Sequence, residues 1–229
     1  MAIIKKFPTF QYNILGESIN LPLVDEIGKT KEIILVNSTI LFAKKGYDAV
    51  SIRDIAKVIG IKPSSLYNHY RSKEALFEAV LRHAEDLYLL YFRRLDENLS
   101  QCHSLEEMLE MIFKEPKKMA NIFTCYAFSL IQSEQFRDNR SGMIMTNTFL
   151  EYSINFLKNW FDKCVDQELC GPFDTKTISI IIMHNVLMAI NLRVHECLDR
   201  HSPYSYCEVF DSLKVIILKL AGFDAAPKV

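Results

Sequence analysis

Ser64, Ser65, Tyr67, Asn68 and His69 lie within one short stretch, and each carries a hydrogen-bonding side chain. Between and after them, Leu66 and Tyr70 sit where a helix turns inward. Hydroxyl, amide and imidazole groups on one outward face are unusual for a purely structural helix. They suit a surface that meets the base edges and phosphates of DNA. Bond-making chemistry is not indicated. The serines have no base and acid at a telling spacing, and no glycine-rich phosphate loop occurs. The six cysteines contain no C-x-x-C pair. They read as small apolar residues in a reducing compartment, not as a disulfide frame or a zinc site. No enzyme activity, cofactor or metal is expected.

The elements that must hold this face are legible from the neighbouring residues. Ile52, Ile55, Ala56 and Ile59 recur at i, i+3, i+4 and i+7, one face of a helix. Ser51 with Asp54 forms a capping box that uses Asp in place of Glu. Gly60 stands where the helix must exit in a left-handed conformation. Pro63 fits the first turn of the next helix, where a missing N–H costs nothing. Two short helices joined by a glycine-containing turn make a helix-turn-helix, whose second helix enters the major groove.

Charge follows the same division. Residues 29–82 hold 10 Lys+Arg and 5 Asp+Glu, a local +5 in a chain of net charge −1. The remainder, at 17 against 23, is therefore net −6. A basic module on an acidic body fits a polyanionic partner for the first part only. Hydrophobic residues make up 49% of the 229, enough for a second and larger core, and only seven glycines and seven prolines favour long helices. No apolar run reaches the roughly 18 residues of a membrane span, and no signal peptide is evident. A soluble, cytoplasmic protein without a membrane partner is expected.

In chain order, 1–26 form an arm without a sustained period, 27–82 the helix-turn-helix domain, and 83–229 a helical regulatory and dimerisation domain. Ile34, Ser38, Leu41 and Phe42 share one face of a first helix that ends at Gly46, with Tyr47 packing back on its core. Ser72 caps a long fourth helix, and Ser104 with Glu107 caps a fifth. Pro116 is read as opening the sixth, which runs to about 134. A long helix over about 143–169 follows, and Asp174 caps the next, to about 200. Ser205 with Glu208 starts the last. The fold class is all-α, with about nine helices and no strand.

With these residues in place, ILFAKKGYDAVSIRDIAKVIGIKPSSLYNHYRSKEALF (residues 40–77) resembles the DNA-binding domain of the tetracycline-repressor (TetR) family of bacterial transcription regulators. The matching positions include Gly46-Tyr47, Ser51, Ile55-Ala56, Gly60-Ile61, Leu66-Tyr67, His69-Tyr70 and Leu76-Phe77. The resemblance implies a homeodomain-like three-helix domain and assigns roles. Tyr67 contacts a phosphate, His69 lies near the backbone, Lys73 grips a phosphate, and Arg53 and Ser65 touch DNA. Ser64, Ser65 and Asn68 are placed to read base edges. Lys62 departs from the family's usual Ser or Thr cap. That removes a side-chain cap worth about 1 kcal/mol, and leaves a lysine able to reach a phosphate.

For the body, the resemblance implies a homodimer formed through residues 175–200 and 205–220, a palindromic double-stranded operator, and release by a small-molecule effector. An apolar or aromatic effector is expected. The candidate wall comprises Tyr126, Phe149, Tyr152, Phe156, Trp160, His184, Met188 and Asn191. Alternatives stay open here. The aromatic series also suits a core, and His184, Asn191 and His195 also suit a polar stripe at a dimer interface. A further alternative gives the body a protein partner and no effector.

Overall fold

The structure is a computed structural model and describes residues 9–14, 17–22, 29–119, 122–197 and 206–221. Its helices are α1 (Lys29–Lys45), α2 (Ile52–Ile59), α3 (Pro63–Tyr67), α4 (Lys73–Leu99), α5 (Leu105–Met119), α6 (Ile122–Glu134) and α7 (Asn139–Met143). A π-helical stretch, Ile144–Tyr152, follows, and then α8 (Ser153–Asp166), α9 (Thr175–Cys197) and α10 (Tyr206–Leu220). Residues 139–166 run without a break through α7, the π stretch and α8, so the described residues form nine helical rods.

The all-α class holds, with one correction in the arm. β1 (Thr9–Ile14) and β2 (Glu17–Pro22) pair antiparallel, from Thr9 opposite Pro22 to Ile14 opposite Glu17. Phe10, Tyr12 and Ile14, then Ile19 and Leu21, alternate with polar residues on either side of Gly16. That is the period of two expected of a hairpin.

Two compact units divide the chain. The first takes the described residues of Met1–Tyr88 and Asn121–Gly142, and the second those of Leu89–Ala120 and Met143–Val229. α4 contributes to both.

In the first unit α1 packs against α2 and α6. Ile34, Phe42, Ile55, Leu66, Leu76 and Leu81 are fully buried. Asn37, Ser38 and Thr39 are buried on α1 and donate to the carbonyls of Ile33, Ile34 and Leu35 at 2.7–2.8 Å. These i−4 bonds satisfy polar groups that would otherwise be costly to bury. Ser38 thus keeps a small, closed surface for close helix packing. Tyr47 folds back as expected, its ring 4.5 Å from Phe77 and 5.4 Å from Phe42.

In the second unit α9 packs on α8 and α10, and α10 also on α5. Phe161, Leu95, Leu105, Leu109 and Ile182 are among its buried side chains. Asp174 caps α9 by accepting from the Thr177 N–H at 3.0 Å. Ser104 caps α5 through the Glu107 N–H at 3.1 Å. Pro116 does not open a helix: α5 runs through it to Met119, and α6 begins at Ile122. α8 ends at Asp166, and Glu168 takes a positive φ of 54°. The Ser205 cap and the 198–200 helix end lie outside the described residues, as do the side chains of His195, Cys197 and Cys207.

Cys102, Cys125, Cys164 and Cys170 form no disulfide, and burial pushes the Cys164 thiol up to about 11. One window, Thr175–Leu192, is long and apolar enough by length and composition to cross a membrane, contrary to expectation; 39% of it is buried.

Candidate nucleic-acid interface

α2 begins with its capping box closed in both directions. The Asp54 N–H donates to Ser51 Oγ at 3.2 Å, and the Ser51 N–H donates to Asp54 Oδ2 at 2.9 Å. The Ser51 hydroxyl bond, followed by the backbone one, holds the Asp54 carboxyl below its ordinary range. α2 stops at Gly60, with φ 77°, and the Ile61 N–H returns to the Ala56 carbonyl at 3.0 Å. This is a glycine C-cap with a second, longer return bond. The left-handed residue is what redirects the chain toward α3.

α3 has Lys62 as its N-cap with no side-chain cap, and Pro63 follows in the first turn. Leu66 is completely buried and anchors the helix to α2. With Leu66 inward, Ser64, Tyr67, Asn68 and His69 are exposed, Lys62 is exposed beside them, and Ser65 is half-buried. Tyr67 is 51% exposed although large and aromatic, which leaves its ring and hydroxyl available to a partner. The Asn68 N–H donates to the Ser64 carbonyl at 3.2 Å and that of His69 to Leu66 at 2.9 Å, extending the turn past Tyr67. Arg53 is exposed on α2.

Lys73 opens α4, whose first turn is capped by Ser72 accepting from the Ala75 N–H at 3.1 Å. The Lys73 ammonium lies 4.1 Å from the centre of the Tyr47 ring and 3.4 Å from the Asp48 carbonyl oxygen. A cation at a helix N-terminus opposes the helix dipole. The ring face offsets that opposition and fixes the side chain's direction. Tyr47 is itself held by its hydroxyl, which donates to Glu74 Oε1 at 3.4 Å. Burial, then the Glu74 charge, pushes the Tyr47 phenol up to about 12. Tyr47 therefore supports Lys73. Its signal was present as an aromatic immediately after the helix-ending Gly46, but sequence reasoning assigned it to the core alone.

The eight residues considered for an effector wall divide between the two units. Tyr126 is buried in the first unit, with the Lys44 ammonium 5.0 Å from its ring centre. The other seven belong to the second unit. Phe149 is core, at 3% exposure. Tyr152 and Phe156 stack at 6.4 Å and both meet Phe92 edge-on, at 5.5 and 4.9 Å. Trp160 is half-buried and donates from Nε1 to Asp96 at 2.9 Å, with Lys163 over its ring. His184 and Met188 are exposed, His184 Nδ1 lying 2.8 Å from the Ile180 carbonyl oxygen. Asn191 is half-buried and donates to the Leu187 carbonyl at 3.1 Å. Tyr152 and Phe156 are in ring contact with each other, and sequence reasoning missed Phe92, which joins them. Among the described residues no group of three His, Cys, Asp or Glu side chains is arranged to hold a metal ion.

Known proteins share the parts of this geometry. Residues 34–80, from α1 into α4, match the family described as bacterial regulatory proteins, tetR family. The biofilm operon icaADBC HTH-type negative transcriptional regulator IcaR of Staphylococcus aureus (strain Newman) is 34% identical over 84 residues. That alignment covers 37% of this chain and 44% of IcaR, so the chain spans less than half the length of that relative. Salmonella enterica GusR superposes with a TM-score of 0.61 at 19% identity, covering 87% of this chain and 98% of GusR. AibR, solved in complex with isovaleryl coenzyme A and operator DNA, superposes with a TM-score of 0.61 at 16% identity, covering 82% of this chain and 97% of AibR. At these identities the two structures establish a shared fold.

Proposed function

We propose that this chain, whose residues 34–80 match the tetR family of bacterial regulatory proteins, is a cytoplasmic transcriptional repressor of that family. It binds a palindromic double-stranded operator as a homodimer and leaves it when a small apolar or aromatic effector binds the second unit. The observation that carries the reading is the exposed α3 face, Ser64, Tyr67, Asn68 and His69, beside a Lys73 aimed by Tyr47. Lys62, Tyr67, His69 and Lys73 hold phosphates, with Arg53 at the flank, while Ser64, Ser65 and Asn68 meet base edges. IcaR's description as a negative regulator supports the sign of regulation.

The homodimer reading draws support from α9 and α10. Ile181 and Met188 are 39% and 52% exposed, and Val215, Ile216 and Leu220 are 45–55% exposed. Ile181, His184 and Met188 fall at i, i+3 and i+7, one helix face. An apolar face of this kind suits a second copy of the chain, and it moves His184 and Met188 from the effector wall to the dimer seam. The effector site then narrows to Phe92, Tyr152 and Phe156, next to the π-helical stretch, where the Ser153 hydroxyl reaches back five residues to the Thr148 carbonyl at 3.3 Å. Such stretches are frequent at functional sites. AibR's coenzyme A ligand supports an effector, without naming this one. An effector acts only through different affinities for DNA-bound and free forms.

Selection of bound sites from random duplex DNA, with and without a metabolite library, tests the whole reading. A palindromic motif that is lost on addition of one compound class is the expected result. Absence of any enriched motif overturns the DNA-binding reading. A motif that no compound disturbs overturns the effector and favours a protein partner.

A further inference from the structure

A cleft in the first unit shares Tyr47 and Glu74 with the support of Lys73. The cleft, of about 390 Å³, is lined by Tyr47, Asp48, Glu74, Phe77, Glu78, Glu134, Arg137 and Asp138. Its volume lies in the range of small-molecule sites. Five carboxylates and one guanidinium give its lining a formal charge of −4. Four of those carboxylates have structural partners or lie open: Asp138 accepts from the Ser141 N–H and hydroxyl, Glu74 from Tyr47, and Asp48 and Glu78 are exposed. Glu134 differs. It is 8% exposed, lines the cleft, and makes no hydrogen bond or ion pair with any described side chain. With the residue's stem buried and its carboxylate meeting only the cleft, Glu134 holds a fixed negative charge to which a cation in the cleft is attracted. Tyr47 and Phe77, 4.5 Å apart, supply aromatic surface beside the charge.

We propose that this cleft binds a small organic cation, an amine or quaternary ammonium. Its charge sits against Glu134 and its carbon skeleton against Tyr47 and Phe77. A charged head with an apolar body matches a wall that offers both carboxylates and ring faces. A bare divalent ion does not match, because the carboxylates are not arranged as a metal cluster. The site's occupancy is measured on the full chain without DNA, so the test depends on neither the operator nor the effector.

Calorimetric titration of the full chain with putrescine, spermidine and choline tests it, with 1,4-butanediol and 3,3-dimethylbutanol as uncharged counterparts and magnesium chloride as a counterion control. One cation is expected to bind saturably at one site per chain, and its uncharged counterpart about tenfold or more weaker. Glu134→Gln is expected to weaken binding by about tenfold or more. Glu78→Gln, at the exposed rim, is expected to weaken it by less, and Glu151→Gln, an exposed acid in the second unit, to leave it unchanged. Absence of saturable binding by all three cations overturns the proposal. So does a Glu134→Gln variant that, folded by circular dichroism, binds as the parent does, or displacement of the amine by magnesium at equal concentration.

Discussion

Lys73 carries a positive charge at a helix end that disfavours it, and the Tyr47 ring stands under it at 4.1 Å. The phosphate contact proposed for Lys73 needs a charge held in one direction, because it is independent of sequence. Lys73→Ala is expected to weaken binding to specific and random duplexes alike and to reduce the slope of log affinity against log salt by about 1. Tyr47→Phe retains the ring and is expected to leave that slope unchanged. Fluorescence anisotropy across a salt series reads both, and an unaltered slope in Lys73→Ala would remove Lys73 from the interface. His83 is a different case, 2% exposed, with burial pushing its imidazole down to about 4 from 6.5. The folded state thus holds the neutral ring while the unfolded state takes up a proton first. Stability is full above about 6.5 and falls as pH drops toward 4, by up to about 3 kcal/mol. Asp54, Glu74, Asp162 and Asp174 are all held below the ordinary carboxylate range. Their losses therefore come at lower pH and do not mimic this window. Denaturant unfolding between pH 7.5 and 4.5 is expected to show the decline in the parent and a flatter profile in His83→Gln. A parent whose stability is level from pH 7 to 5 would contradict the shift.

At the scale of elements, the α2–turn–α3 unit was legible because its determinants are local. Ser51 and Asp54 cap each other, Gly60 has the φ that only glycine adopts freely, and Pro63 starts α3. The same locality makes Lys62 testable. α3 lacks a side-chain cap, so Lys62→Ser is expected to raise stability by about 0.5–1 kcal/mol in thermal unfolding. The same change is expected to lower DNA affinity through loss of a phosphate contact. A variant that gains stability and binds DNA as tightly as before would confine Lys62 to the cap. Less local features were harder to read. The hairpin's alternation covers only six residues per strand, and Leu15-Gly16 lacks the Asn-Gly signature of a tight turn. Pro116 has the composition of a helix start, yet α5 passes through it. The aromatic series on α8 and the π stretch has helical spacing, but spacing cannot tell a core ring such as Phe149 from the half-open pair Tyr152 and Phe156. Nor could it supply Phe92, which precedes them by some sixty residues in sequence. Glu134 and its cleft depend on α6 meeting the start of α4, which no local pattern encodes.

At the scale of the whole molecule, the question is what covers the apolar faces of α9 and α10. Thr175–Leu192 has the length and composition of a membrane span, but 39% of it is buried against its own unit, and His184 and Asn185 interrupt its outer surface. A bilayer would leave those polar side chains in hydrocarbon, where they are expensive, whereas an interface between two copies accepts a polar residue among apolar ones. Two-fold pairing also matches the need of a palindromic site, since each recognition helix must meet an equivalent groove. Met188→Glu on α9 and Ile216→Glu on α10 each put a charge in the proposed seam without touching the buried core. Sedimentation equilibrium is expected to show a dimer for the parent and a monomer for the double variant, with circular dichroism unchanged. DNA affinity then separates a consequence from a coincidence. A monomer has one half-site contact in place of two, so its binding to a full palindrome is expected to fall by more than tenfold. Binding to an isolated half-site is expected to hold. A double variant that stays dimeric would place the seam elsewhere, and a monomer that keeps full palindrome affinity would separate dimerisation from operator binding.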